Sequence, residues 1–178
     1  MQHLWCHQFG YEQDSLQLSV LQEQAQADDR DCVVSAIIVN GEGRAFVQRR
    51  SSDRRLFPNC WDIAGGHVDP GETLYGALVR EVQEETNWRI RRLVNLVAIT
   101  DWEAEVNGRR IRRREFTFLV DVDGDMRAPM IERDKFSEVR WVGQDDLDVL
   151  KEYRADGDVV IYELVKKGLV VLRASAQD

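Results

Sequence analysis

A disulfide framework, a long apolar run and an excess of positive charge are all missing from these 178 residues, and each absence removes a class of protein. The three cysteines, Cys6, Cys32 and Cys60, are odd in number, far apart and in no paired spacing, which excludes a secreted disulfide scaffold and makes a reducing cytoplasm the expected compartment. The N-terminus, Met1 to His7, holds no apolar signal core, and nothing approaches the ~18 uninterrupted apolar residues of a membrane span, so no membrane is expected as a partner. A formal net charge of −8 argues against a broad nucleic-acid-binding surface, which needs Lys and Arg to neutralise phosphates. It leaves a small anionic substrate open, because local positive charge or a bridging cation can sit in the cleft of an acidic protein. No internal repeat or low-complexity tract interrupts the chain. What is present, 43% hydrophobic and 31% charged residues, suffices for one well-filled core.

Residues 1–30 are polar, and Leu16, Leu18, Val20 and Leu21 are spaced too irregularly to favour strand or helix. They read as an N-terminal extension to a domain over 31–178. Cys32 to Val39 is a β-branched run, Asn40-Gly41-Glu42-Gly43 supplies turn chemistry, and Arg44 to Gln48 resumes as a strand, which together predict a hairpin. Residues 51–59 form a loop, Trp61 to Ala64 a short strand, and Gly65-Gly66 a break. Thr73 to Thr86 reads as a helix, with Glu72 or Thr73 at its start and Asn87 just past its end. Leu93 to Val106 and Arg109 to Val122 flank Asn107-Gly108, a type I′ turn signal, and predict long antiparallel strands. A short strand over Glu138 to Val142 and helices over Asp145 to Tyr153 and Val159 to Lys167 complete a mixed α/β sheet covered by helices on both faces.

The central helix carries the chemistry. At ~100° per residue, Tyr75, Ala77, Leu78, Val79 and Val82 form one apolar arc around Leu74, and that arc must face the core. Glu81 and Glu85 fall inside it and Glu84 on its edge, while Gly76, Arg80 and Gln83 point away. A Glu-rich helix is usually a solvated face, but here the phase is wrong for that. An unpaired buried carboxylate costs several kcal/mol, and Arg80 can neutralise one charge but not three. Three acids at i, i+3 and i+4 share a side of the helix and suit a hard divalent cation. Magnesium fits, with manganese as a substitute; zinc fits poorly without His or Cys nearby.

Gly66, five residues, Glu72, seven residues, then Arg80-Glu81-Val82-Gln83-Glu84-Glu85-Thr86-Asn87-Trp88 resembles the box of the Nudix hydrolases, G-x5-E-x7-R-E-U-x-E-E-x-G-U, with U a bulky apolar residue. Asn87 stands where that box has glycine; Asn tolerates the left-handed conformation, so the helix end should survive. The resemblance implies an α/β/α sandwich with a catalytic loop-helix-loop, and metal-dependent hydrolysis of a diphosphate linkage in a nucleoside diphosphate derivative or nucleoside triphosphate. Residue by residue, it implies Glu84 and Glu85 as metal ligands and Glu81 as ligand or base. Arg80 would orient the carboxylates, Glu72 would support them from the loop, and Gly66 and Gly71 would let the backbone turn. It covers residues 66–88 tightly and the rest only generally.

Outside the box, Arg49 and Arg50 end a strand where similar enzymes contact phosphate, and with Gly66 they are the candidate substrate contacts; an ordinary surface arginine is an equal expectation. The cluster Arg109, Arg110, Arg112, Arg113 and Arg114 alternates between faces, so at most one side can address a substrate, and a solvated edge is the favoured reading. Phe57, Trp61 and Trp102 are candidates for stacking on a base, though core placement is commoner. Glu103, Glu105, Glu115, Glu132 and Glu138 are all available to supplement the acidic site. His67 is read as a loop histidine bonded to backbone, and His3, Cys6 and His7 as a chance arrangement. Two other functions stay open: an isomerase of isoprenoid diphosphates using Cys60, faintly suggested by Phe57-Pro58-Asn59-Cys60-Trp61, and a non-catalytic nucleotide-binding module. A small diphosphate is the expected partner, and a homodimer is left open.

Overall fold

The computed structural model describes residues 11–175 as three α-helices and seven strands. The order is α1 (Tyr11–Ala27), β1 (Asp31–Ile38), β2 (Ala45–Arg50), β3 (Trp61–Asp62), β4 (Ala64–His67), α2 (Leu74–Thr86), β5 (Arg89–Val106), β6 (Arg109–Asp123), β7 (Phe136–Val142) and α3 (Val160–Ser175). A mixed sheet runs β4-β1-β6-β5, with β1 parallel to β6, and a second sheet runs β3-β2-β7. Both faces of β1 are buried, so its sequence is continuously apolar rather than alternating. Val34, Ala36 and Ile38 join Phe116, Phe118 and Val120 in a core under α1 and α2. Ile37 and Leu119 join Ala45, Val47 and the apolar side of α3 in a second core.

Several expectations hold and several change. Asn107 (φ 54°) and Gly108 (φ 73°) make the β5–β6 turn with both central residues left-handed, as a type I′ hairpin requires. The hairpin expected of β1 and β2 shrinks to one bridge, Val39 to Ala45, because the edges of β1 are taken by β4 and β6 and β2 departs into the other sheet. Gly65 and Gly66 do not break the chain. They sit inside β4, opposite Ser35 and Val34. Within Asp145–Tyr153 only a 3₁₀ turn forms, Leu147–Lys151. Residues 11–27 are helical: Leu18 and Ala25 are buried with Leu21 beside them, a helix period that the exposed Leu16 and Val20 obscure in the sequence. His3, Cys6 and His7 lie outside the described residues. Among the described residues no helix is long and apolar enough to cross a membrane.

Candidate active site

α2 begins where Thr73 caps it, its hydroxyl accepting from the Gly76 N–H at 3.0 Å, and ends at Asn87, whose φ of 61° closes the last turn. Between these ends Leu74, Ala77, Leu78 and Val82 are buried together with Glu81 and Glu85, which are 7% and 3% exposed. Two carboxylates therefore share the apolar side, in the phase the helix period requires. Glu85 Oε2 accepts from Gln48 Nε2 at 2.6 Å and from the Gly65 N–H at 3.0 Å. Burial pushes its carboxyl up to about 8, and the Glu81 charge adds to this against the Gly65 and Gln48 bonds. Glu81 lies against Gly66 so closely that a Cβ there would meet Oε1 at 2.3 Å. The bare backbone of Gly66 is thus the space the carboxylate occupies.

Arg80 holds the arrangement together. Its Nε and Nη2 donate to the two oxygens of Glu72 at 3.0 and 2.9 Å, Nη2 also to the His67 carbonyl at 2.9 Å, and Nη1 to Glu81 Oε1 at 2.7 Å and Glu84 Oε2 at 3.3 Å. These bonds raise the Arg80 pKa above its already high value and hold the Glu72 carboxyl below the usual carboxylate range. Glu72 also accepts from the Asp69 N–H, and Gln22 of α1 bridges the Glu72 carbonyl to the Leu74 N–H. Glu84 stays exposed beside Arg80. Among the described residues, no three carboxylate, histidine or cysteine side chains are gathered closely enough to ligate one ion. The donor chemistry nevertheless fits a hard cation: all oxygen, and at Glu85 a carboxyl that burial and the Glu81 charge push upward and that a cation would relieve.

Glu81 and Glu85 open onto a cleft of about 910 Å³. Strand alternation separates the two candidate arginines. Arg50 lines the cleft and is held by Asp62 at 3.2 Å and by the Leu56 carbonyl. Arg49 lies over the Tyr153 ring and bonds Asn59 and Glu138, off the cleft. In the arginine-rich hairpin, Arg110, Arg112 and Arg114 pair with Glu103, Asp29, Asp101 and Asp28, whereas Arg113 turns into the cleft. The solvated-edge reading therefore fails for Arg113. Trp102 and Phe57 line the same wall, edge to face at 6.3 Å, while Trp61 is a core residue. Of the later acids, Glu115 and Glu103 reach the cleft, Glu132 and Glu138 pair with Lys135 and Arg49, and Glu105 is exposed. His67 ends β4 and lines the cleft, where burial pulls its pKa down, aided by the charge of Arg113. Cys60 is buried off the cleft, its thiol donating to the Tyr153 carbonyl at 3.1 Å, which leaves the isomerase reading without its acid.

Three site residues escape the sequence reading. Gln48 carries a visible signal, a polar residue continuing the apolar run Ala45–Val47, and is fully buried. Gly65 matters through its N–H alone. Lys135, which lines the cleft and whose pKa is affected by Glu132, Glu85 and Glu81, arrives from a loop fifty residues away and has no local signature.

A family model described as the NUDIX domain matches residues 29–164. An RNA pyrophosphohydrolase of Novosphingobium aromaticivorans is 33% identical over 132 residues, 66% of this chain and 80% of that protein. An uncharacterized Nudix hydrolase of Nostoc is 48% identical over 56 residues, and the matched stretch spans only 31% of this chain and 33% of that relative. Among solved structures, the MutT NUDIX hydrolase of Burkholderia pseudomallei superposes with a TM-score of 0.61 at 25% identity, covering 76% of this chain and 98% of that one. With Arg80, Glu81, Glu84 and Glu85 on α2 and Gly66 and Glu72 brought against them from β4 and the loop between, the chain belongs to the NUDIX hydrolase family.

Proposed function

We propose that this chain is a magnesium-dependent pyrophosphohydrolase that cleaves a diphosphate linkage in a nucleoside diphosphate derivative or a nucleoside triphosphate. The observation that carries this reading is the placement of Glu81 and Glu85, buried on the apolar side of α2 yet opening onto a cleft wide enough for a nucleotide. The RNA pyrophosphohydrolase among its relatives supports the same class of bond.

Glu81, Glu84 and Glu85 are the residues that would hold magnesium, or manganese in its place. When bound, the ion lowers the pKa of the attacking water and offsets charge on the phosphates. Glu81 serves as a ligand or accepts the water's proton. Arg80 keeps Glu81 and Glu84 oriented, and Glu72 braces Arg80 in turn. Gln48 and the Gly65 N–H fix the Glu85 carboxylate. Arg50 addresses a phosphate from the cleft wall, a role Arg49 is not positioned to share.

The test is incubation with a panel of nucleoside triphosphates and nucleotide-linked diphosphates with magnesium, products resolved by chromatography. Turnover is expected for at least one substrate, to be abolished by a chelator and reduced at least a hundredfold in Glu84→Gln with folding intact. No turnover of any substrate by folded protein would overturn the reading.

A further inference from the structure

The far wall of the cleft holds a donor and an acceptor that the proposed hydrolysis does not use. On β5 and β6 the register sets Trp102 opposite Arg113 and Thr100 opposite Glu115. Alternation sends Arg113 and Glu115 to one face of β6, and the structure places both on the cleft with Trp102. The Arg113 guanidinium lies over the Trp102 ring, 5.1 Å from its centroid. Among the described residues it makes no ion pair, and its Nε is buried without a hydrogen-bond partner, unlike the neighbouring arginines of the same strand. Arg113 is half-buried, and a buried guanidinium N–H without a partner is costly unless something else supplies an acceptor. Glu115 accepts from the Trp102 indole N–H at 3.1 Å and lies within hydrogen-bond reach of Ser35, and its two oxygens still have capacity for further donors.

We infer that this wall is the base subsite of the proposed hydrolase and that the base it takes is guanine. A guanidinium fork matches two adjacent acceptors, and guanine's O6 and N7 are such a pair. A carboxylate matches adjacent donors, and guanine's N1–H and 2-amino group supply them. Adenine has no adjacent acceptor pair, and cytosine and uracil lack the second ring that would reach both groups. Trp102 and Phe57 supply ring surface for stacking. The reach is right: Glu115 lies two strands across and two residues along from Gly65, whose N–H bonds Glu85, a separation of about 12 Å in the sheet. A nucleoside diphosphate covers that span, with its phosphates at α2 and its base over β6.

This rests on the hydrolase reading only for where the phosphates lie, and binding separates the two. Isothermal titration calorimetry with GMP, AMP, CMP and UMP in magnesium buffer reads base preference without turnover, since a monophosphate has no diphosphate bond to cleave. GMP is expected to bind at least tenfold more tightly than each of the others. Glu115→Gln and Arg113→Lys, both close in shape and the second keeping the charge but losing the fork, are each expected to weaken GMP about tenfold and leave AMP within about twofold. Equal binding of all four nucleotides, preference for another base, no binding at all, or folded variants that retain the GMP preference would each overturn the inference. Hydrolysis of the substrate panel without base preference would overturn it and leave the hydrolase reading standing.

Discussion

Gly65 and Gly66 are adjacent, yet their hydrogens give way to different atoms, and a methyl group should injure the protein differently at each. At Gly65 an added Cβ meets the Val34 carbonyl oxygen at 2.2 Å and Ser35 Cα at 2.8 Å, backbone that cannot move without disturbing β1. At Gly66 the nearest atoms it meets are those of the Glu81 carboxylate, the end of a side chain that can move. Gly65→Ala is therefore expected to lower the melting temperature by several degrees, whereas Gly66→Ala should melt near the parent and lose at least tenfold in kcat, about 1.4 kcal/mol of barrier. Thermal melts and initial rates on the two variants check both; a Gly66→Ala enzyme of parental rate would mean that the position of Glu81 is unimportant.

Glu115 should leave a signature in stability against pH. Burial pushes its carboxyl up, and Asp62 adds to the shift while Ser35, Trp102 and Arg154 oppose it. A carboxyl with a folded pKa above its unfolded one holds its proton more tightly in the native state. It costs stability once pH has risen past the folded value, and that cost vanishes as pH falls below the unfolded one. Glu115→Gln should accordingly melt higher than the parent at neutral pH and show no advantage near pH 4, as read by melting curves across that range. The reverse trend would place an ionised, stabilising carboxylate there.

At the scale of one element, α2 shows how a departure from a family pattern can be harmless. Asn87 occupies the left-handed position at which the box carries glycine, and its side chain accepts from Gln83 Nε2 at 2.8 Å. Asn87→Ala should cost roughly 1–2 kcal/mol, the penalty of a left-handed residue without local hydrogen bonding. Asn87→Gly should be close to neutral, because relief of the backbone offsets the lost side-chain bond. Denaturant titration measures both; an Ala variant as stable as the parent would show that the helix end does not depend on this cap. The placement of Glu81 and Glu85 was legible in the sequence because helical phase depends only on spacing along one element. The placement of Gln48 was only hinted at, since a strand residue's partner lies on another element. Arg49 and Arg50 were inseparable for a related reason: alternation guarantees that they diverge but not which one faces the cleft.

Across the whole molecule, α1 ties residues 11–27 to α2. Leu18 and Ala25 enter the core beneath α2, and Gln22 donates to the Glu72 carbonyl and accepts from the Leu74 N–H. The family match begins at residue 29, after this helix. Gln22→Ala leaves both backbone groups without that partner and should cost about 1–3 kcal/mol. A chain beginning at residue 28 should melt lower still, having exposed the apolar side of α2's neighbourhood. If both variants melted with the parent, residues 11–27 would be a passive addition to the domain.

Spacing, turn chemistry and helix phase are local properties, and they determined α2, both of its ends, the long hairpin and the acidic pair. The parting of β1 and β2 into different sheets depended on which strands had already claimed the edges of β1, a competition settled only when all the strands are present. So did the assembly of the cleft wall. Arg113, Glu115, Trp102 and Lys135 came to line one cleft with Glu81 and Glu85 through strand register and loop return, an arrangement of residues too far apart in the chain for any local pattern to encode.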